Sequence, residues 1–133
     1  GITSVKLHKG CHAILNTINQ KGIKQHVLSA MEHNMLVKSL SNFGIDSYFE
    51  NVSGISDHYA HSKVDVGKKL ISEIGCSTDD IIMIGDTIHD YEVAQNLEID
   101  CLLISSGHQS HERLETRTSN IISKLSEIEV FLG

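Results

Sequence analysis

A short apolar run that ends in glycine and leads to two carboxylates constrains the fold of this chain more than any other segment. Residues Ile81 to Ile84 are all apolar, and Gly85 then leads into Asp86 and Asp90. An apolar stretch this short, closed by glycine, predicts a parallel strand that is buried on both faces. We expect Gly85 to turn the chain sharply at the carboxyl end of this strand, where open α/β sheets bind their ligands.

The two carboxylates that follow the strand have two interpretations. If residues 87–90 begin a helix, positions four apart share one face, and Asp86 and Asp90 can both bind one hard cation. In the other interpretation the segment is only a strand-to-helix turn. Asp86 then caps the helix, and Asp90 interacts with the dipole of its first turn. The segment by itself favours neither.

Length and composition predict one domain over residues 1–133. The chain has 40% hydrophobic residues, enough for a core, and its net charge of −6 argues against a nucleic-acid partner. Three cysteines at positions 11, 76 and 101 are widely spaced, so we expect reduced and mostly buried thiols. No apolar run approaches the roughly 20 residues of a membrane span, and the amino terminus lacks a signal-peptide core. The expected location is the cytoplasm, with no membrane partner.

Strand and helix patterns alternate along the whole chain. Such alternation indicates right-handed crossovers and a parallel sheet, and therefore the α/β class. The predicted helices cover 11–20, 33–43, 64–74, 91–97, 110–116 and 127–132. The predicted strands cover 24–28, 81–84, 101–104 and 120–122, and residues 48–55 hold a weaker strand around 51–53.

Two further polar side chains are expected at the carboxyl edge of the predicted sheet. Ser29 follows a strand and precedes a helix, where a hydroxyl and backbone N–H groups can bind a phosphate, although a serine there is commonly only a helix cap. Lys63 heads the apolar stripe of the third helix, whereas Lys68 and Lys69 fall off that stripe and should be solvated. Lys63 either extends inward over the sheet edge or lies with its stem on the core and its amine in water.

Together these segments resemble the haloacid dehalogenase-like phosphohydrolases, most closely the branch similar to phosphoglycolate phosphatase. The family's serine or threonine after the second core strand matches Ser29, its helix-opening lysine matches Lys63, and its GDxxxD motif matches residues 85–90. The family usually has proline after that lysine, where this chain has Val64. The resemblance covers nearly the whole chain and implies a Rossmann-like three-layer core with a parallel sheet.

The resemblance also implies a mechanism. The family hydrolyses phosphate monoesters, here of a small phosphorylated metabolite, through an aspartyl-phosphate. Ser29 and the backbone N–H of Ala30 would bind the phosphate, Lys63 would stabilise its charge, and Asp86 with Asp90 would bind Mg²⁺. The family's nucleophile belongs to a DxD motif on an amino-terminal strand, and no aspartate precedes Ser29 in this sequence.

We therefore expect an incomplete core that lacks the nucleophile strand and the cap domain. The missing strand would lie between the strands that carry Ser29 and Asp86, and its absence would expose two interior edges. A dimer, a rearranged amino terminus or a complementing amino-terminal strand is expected to fill them. The chain is then either a portion of a magnesium-dependent phosphatase or a non-catalytic binding or structural domain that has lost its nucleophile.

Two other constellations rank lower. A receiver-type phosphoacceptor would have its lysine after the acidic strand, but Lys63 precedes that strand. The pairs His58/His61 and His108/His111 have a spacing that can bind a transition metal, but exposed loop histidines are the favoured interpretation.

Overall fold

The computed structural model describes residues 11–56, 62–105 and 109–132, which form alternating helices and strands. In chain order they are α1 (Cys11–Gln20), β1 (His26–Glu32), α2 (His33–Asn42), β2 (Asn51–Ile55), α3 (Lys63–Ile74), β3 (Ile82–Gly85), α4 (Ile88–Leu97), β4 (Asp100–Ile104), α5 (His111–Glu115), β5 (Ile121–Ile122) and α6 (Ile128–Leu132). The predicted α/β class with parallel strands is confirmed.

The strands of the described residues form two parallel sheets. β1 pairs with β2, and β3, β4 and β5 form the other sheet in that order. Within residues 11–56, 62–105 and 109–132 no ladder joins β1 to β3. The break between the two sheets therefore falls between β1, which contains Ser29, and β3, which Asp86 follows. This is where the resemblance places the nucleophile strand.

Helices cover both faces of the strands, and each face has a core that draws on both sheets. On one face Val27 of β1 packs in the same cluster as Leu102 of β4, together with α1, α2 and α6. On the other face Leu28 of β1 shares a cluster with Met83 of β3, together with α3, α4 and α5. Alternate residues of a strand point to opposite faces, so the strands of both sheets form the middle layer of three.

Strand β1 extends further than its sequence pattern predicts. Regular pairing with β2 covers His26 to Leu28, and the register shifts before it resumes at Glu32. Ser29 was expected just after the strand, but it lies within β1, as the first residue past the regular ladder. The cause is the irregularity, which lets an extended backbone continue to the start of α2.

The two described cysteine thiols differ in environment. Cys101 is buried on β4, and burial raises the pKa of its thiol to about 12, whereas Cys76 is exposed. The expectation of buried thiols is therefore met at Cys101 and wrong at Cys76, which follows the end of α3.

We predict that iodoacetamide alkylates Cys76 in the native protein and reaches Cys101 only after unfolding, because the thiolate is the reactive form. Peptide mass spectrometry against incubation time measures both rates, and the protein unfolded in guanidinium is the control, in which both thiols should react. Equal native rates at the two positions would contradict the burial of Cys101.

Among the helices in the described part of the chain, none combines the length and the apolar character that crossing a membrane requires.

Candidate active site

Helix α3 places Lys63 inside the protein. Ser62 caps the helix by accepting a hydrogen bond from the backbone N–H of Asp65 at 3.2 Å. Lys63 is only 6% exposed and lies on the same side as Val66 and Leu70, which are also buried. Lys68 and Lys69 are exposed, as predicted. Of the two alternatives for Lys63, the structure shows the inward one.

The ammonium of Lys63 meets the carboxylate of Asp90 in the first turn of α4. Nζ lies 2.5 Å from Oδ1, and both side chains are about 5% exposed or less. The other carboxylate oxygen, Oδ2, accepts hydrogen bonds from the backbone N–H of Asp86 at 3.0 Å and of Thr87 at 3.2 Å. The hydroxyl of Thr87 also donates to Oδ2, at 3.1 Å. Asp90 thus connects α3, the end of β3 and the start of α4.

Thr87, not Asp86, caps helix α4. Its hydroxyl accepts from the backbone N–H of Asp90 at 3.2 Å, while the Asp90 carboxylate accepts from the N–H of Thr87. The interpretation in which Asp86 caps this helix is therefore wrong by one residue. The pattern Thr87-x-x-Asp90 is a capping-box signature that the sequence already contained.

Opposing effects determine the protonation of Asp90. Burial by itself would raise the pKa of this carboxyl, but the Lys63 ammonium and the hydrogen bonds from Asp86 and Thr87 outweigh it. The pKa of Asp90 therefore lies below its ordinary value, and the pair is ionic at neutral pH. A buried ion pair is costly to disrupt, because removal of one partner leaves a charge without compensation.

Gly85 is required for space and not for a turn. The described glycines with a left-handed backbone are Gly22, Gly44 and Gly75, so Gly85 does not make the predicted sharp turn through a positive φ. A Cβ at position 85 would lie 2.5 Å from Cβ and 2.6 Å from Oδ2 of Asp90. The absence of a side chain at Gly85 lets the Asp90 carboxylate approach the end of β3.

Asp86 and Ser29 complete the set of buried polar side chains in the described residues. Asp86 is 8% exposed and Ser29 5% exposed. The Ser29 oxygen accepts from the backbone N–H of Met31 at 3.1 Å, which leaves the hydroxyl proton able to donate. Ala30 is exposed, and the pairing with β2 skips residues 29–31.

One contact at this edge had no sequence signal. The side-chain oxygen of Gln109, in the segment after β4, accepts from the backbone N–H of Ile88 at 2.6 Å. This hydrogen bond provides an acceptor for one of the backbone N–H groups that the first turn of a helix leaves without an internal partner. Gln109 therefore connects the start of α4 to the next loop.

Most histidines of the two predicted pairs fall outside the described residues. His58, His61 and His108 lie outside the described residues, and His111 is exposed and pairs with Glu115. Within the described ranges no group of three or more His, Cys, Asp or Glu side chains could hold a metal ion.

The geometry places Lys63, Asp86 and Asp90 together at the carboxyl end of β3, as the resemblance implies. A family model described as haloacid dehalogenase-like hydrolase matches residues 2–104. The chain belongs to this family.

The chain is also similar to several known proteins over most of its length. The chain is 23% identical over 124 residues to the tyrosine-protein kinase PtkA of Mycobacterium tuberculosis, a match that covers 92% of the chain and 43% of PtkA. It is 25% identical over 93 residues to the pyrophosphatase PpaX of Listeria welshimeri, a match that covers 68% of the chain and 42% of PpaX. The crystal structure of a predicted phosphatase from Clostridium acetobutylicum superimposes with a TM-score of 0.88 at 24% identity, covering 96% of this chain and 60% of that one. The chain thus spans less than half the length of these curated relatives.

Proposed function

We propose that the protein to which this chain belongs hydrolyses small phosphate monoesters with the help of Mg²⁺. The observation that carries this proposal is the buried contact between Lys63 and Asp90, with Asp86 hydrogen-bonded to the same carboxylate. A buried ammonium paired with the Asp90 carboxylate, whose other oxygen holds the backbone of the buried residue Asp86, suits a reaction in which a phosphoryl group and a metal ion must be held together. The family assignment and the pyrophosphatase name of one relative support it.

The phosphate would be bound by groups from two elements. The Ser29 hydroxyl and the backbone N–H of Ala30 lie where β1 leaves its regular ladder, and they would donate to phosphate oxygens. Lys63 would compensate the charge that develops on the phosphoryl group. Because the two groups come from different elements, they would also orient the ester.

Mg²⁺ fits this donor set through Asp86. Magnesium is commonly bound by one or two carboxylates and several waters, and the Asp86 side chain supplies a hard oxygen ligand in a buried position. Both oxygens of Asp90 already accept from Lys63, Asp86 and Thr87. In this arrangement Asp90 would orient Lys63 and the Asp86 loop rather than ligate the ion directly. When bound, the metal supplies charge neutralisation at the phosphoryl group.

The nucleophile would come from polypeptide outside residues 1–133. A carboxylate would attack phosphorus, the ester P–O bond would break, and the alcohol would leave with a proton from a second carboxylic acid. Water would then cleave the aspartyl-phosphate, releasing inorganic phosphate and returning the proton. In this scheme neither Ser29 nor Lys63 acts as the nucleophile in place of a carboxylate. We propose that the reaction takes place in the cytoplasm.

The test is a variant series in the protein expressed from its complete reading frame. We expect magnesium-dependent release of phosphate from p-nitrophenyl phosphate and small phosphorylated metabolites. Lys63→Met should lower kcat by about 10²–10³-fold, the usual cost of removing one charge-stabilising donor. Lys68→Met, an exposed lysine on the same helix, is the matched control and should leave kcat unchanged. Asp86→Asn should abolish the response to magnesium.

The isolated 133-residue chain is the second arm of this experiment, and it should not turn over. Hydrolysis by the chain alone that survives repurification and disappears in Asp86→Asn would mean that another group is the nucleophile. In the longer protein, unchanged activity of Lys63→Met, or transfer of the phosphoryl group to a protein tyrosine rather than to water, would contradict the proposal. If neither the longer protein nor the isolated chain hydrolyses these substrates, the alternative of a non-catalytic binding or structural domain would be favoured.

A further inference from the structure

Three consecutive backbone N–H groups follow strand β3, and each has a side-chain acceptor. The N–H groups of Asp86 and Thr87 donate to the Asp90 carboxylate at 3.0 and 3.2 Å. The N–H of Ile88 donates instead to the side-chain oxygen of Gln109 at 2.6 Å. The segment that carries the Asp86 side chain is therefore fixed from two sides, by Asp90 and by Gln109.

These two anchors of the segment differ in charge. Asp90 is one half of the buried ion pair with Lys63, so a change at Asp90 alters both the position of the segment and its electrostatics. Gln109 is neutral, and it holds the segment through a hydrogen bond to the backbone. A change at Gln109 therefore affects the position of Asp86 while the charges of the ion pair stay in place.

Neighbouring structure holds Gln109 in place. It directly precedes Ser110, which caps α5 by accepting a hydrogen bond from the backbone N–H of Arg113 at 3.2 Å. Leu114 of α5 is fully buried and belongs to the same core cluster as Ile88 of α4. Because α4 and α5 share this core, apolar packing sets the position of Gln109 relative to the start of α4.

The same hydrogen bonds leave little of the first turn of α4 for an anion. The backbone N–H groups of Thr87, Ile88 and Asp90 already have side-chain acceptors. An anion at the start of a helix is bound by such N–H groups, so these three are not available to a phosphate. The start of α4 therefore suits the placement of a carboxylate better than the binding of phosphate, which the proposed function assigns to Ser29 and Ala30.

We propose that Gln109 is a positioning residue for Asp86. By accepting from the N–H of Ile88, it fixes the segment from which the Asp86 carboxylate supplies an oxygen to Mg²⁺, and the identity of this metal rests on the proposed function. Magnesium requires near-ideal ligand geometry, so a carboxylate on a loosened segment binds it less tightly. Groups that orient a metal ligand commonly contribute about 10–100-fold to metal affinity. No step of the proposed hydrolysis uses Gln109, so metal affinity should depend on it more than the rate with metal bound.

The test uses the protein expressed from its complete reading frame, with three variants at position 109. Gln109→Met keeps the length of the side chain but removes the acceptor, Gln109→Asn keeps the amide but is shorter, and Gln109→Glu keeps both the length and an acceptor oxygen. Titration calorimetry with magnesium chloride, without substrate, measures the affinity. We expect the methionine and asparagine variants to bind Mg²⁺ about tenfold more weakly. Gln109→Glu should bind it at least as tightly as the parent, with the Ile88 amide as protected from exchange as it is in the parent.

Two control variants and a rate measurement complete the test. Asp86→Asn should abolish the binding signal, which locates the metal. Gln95→Met makes the same chemical change at an exposed position of α4 and should leave the affinity unchanged. In hydrolysis, Gln109→Met should raise the magnesium concentration for half-maximal rate by the factor seen in calorimetry, while kcat at saturating magnesium returns close to the parental value.

The outcomes separate this inference from the proposed function. If Gln109→Met lowers Tm but leaves magnesium affinity unchanged, Gln109 is only a structural cap, and the proposed hydrolysis stands without it. Equal losses of affinity in Gln109→Glu and Gln109→Met would exclude the acceptor as the cause. Weaker binding by Gln109→Met in a protein that hydrolyses no phosphate ester would support the positioning role and contradict the function. A parent protein that binds no Mg²⁺ would overturn both. If Gln109→Met does not fold, Gln109→Asn provides the same comparison.

Discussion

The Asp90→Asn variant is expected to lose about 3–5 kcal/mol of unfolding free energy, the usual cost of breaking a buried ion pair by removing one partner. Asparagine keeps an oxygen that can accept from the backbone N–H groups of Asp86 and Thr87, so the change removes mainly the charge. Lys63 is then buried without its counterion. Chemical denaturation of both proteins at neutral pH measures the difference, which is a large fraction of the stability of a typical domain.

A second substitution separates the charge from the packing. In the Asp90→Asn background, Lys63→Met removes the uncompensated ammonium but keeps a long apolar stem, so most of the lost stability should return. Glu92→Gln on the same helix is the matched control. Glu92 pairs with Arg117 at 2.9 Å, but both side chains are more than a third exposed, so its loss should cost less than about 1 kcal/mol. Equal costs at Asp90 and Glu92 would refute the importance of burial.

The pH dependence provides an independent check on the same pair. The pKa of Asp90 is lowered in the folded state from an ordinary value of 3.8. The folded state thus binds the proton less readily than the unfolded state, and the stabilisation is fully present above that ordinary value. It is lost as the pH falls through the lower folded pKa. The Lys63→Met, Asp90→Asn double variant should lack this component of acid unfolding.

The sequence predicted the position of this site better than its internal contacts. Periodicity identified Lys63 as the head of a buried stripe, but it left open whether the amine extends inward or stays in water. It did not identify Asp90 as the partner of Lys63, since the two residues are 27 positions apart and no local pattern links them. The hydrogen bonds between Thr87 and Asp90 follow from the capping-box pattern in the sequence. The contact of Gln109 with Ile88 has no such pattern, because it depends on how two loops meet.

The same distinction holds for the fold. Helices α1 to α3 follow from apolar periodicity, and each is followed by a glycine in the left-handed conformation, a common helix end: Gly22, Gly44 and Gly75. The continuation of β1 through Ser29 did not follow, because a strand's end depends on the partner strand and not only on its own residues. Pairing between strands is likewise a tertiary property, so the split into two sheets was inferred only through the family resemblance.

Gly85→Ala should destabilise the protein by about 1–3 kcal/mol through overpacking alone, with a further loss if the Lys63–Asp90 contact opens. The new Cβ would lie 2.5 to 2.7 Å from the Cβ, Cγ and Oδ2 atoms of Asp90, and atoms cannot remain that close. Movement of Asp90 also disturbs the Asp86 loop. The free energy of unfolding measures the cost of overpacking. The dependence of stability on acid pH shows whether the Lys63–Asp90 contact has opened.

Two comparisons show whether the carboxylate is the reason for Gly85. In an Asp90→Ala background the Cγ and Oδ2 contacts are absent, so Gly85→Ala should cost less than it does in the parent chain. Gly67→Ala is the matched glycine control: its Cβ would meet Leu97 Cδ1 at 2.7 Å, but that atom ends a flexible side chain, and alanine favours the helix by about 1 kcal/mol. The cost at Gly85 should therefore exceed that at Gly67. If Gly85→Ala costs the same with and without the Asp90 carboxylate, the contact at 2.5 Å with Cβ of residue 90, which alanine keeps, is the reason for glycine at position 85, and the carboxylate is not.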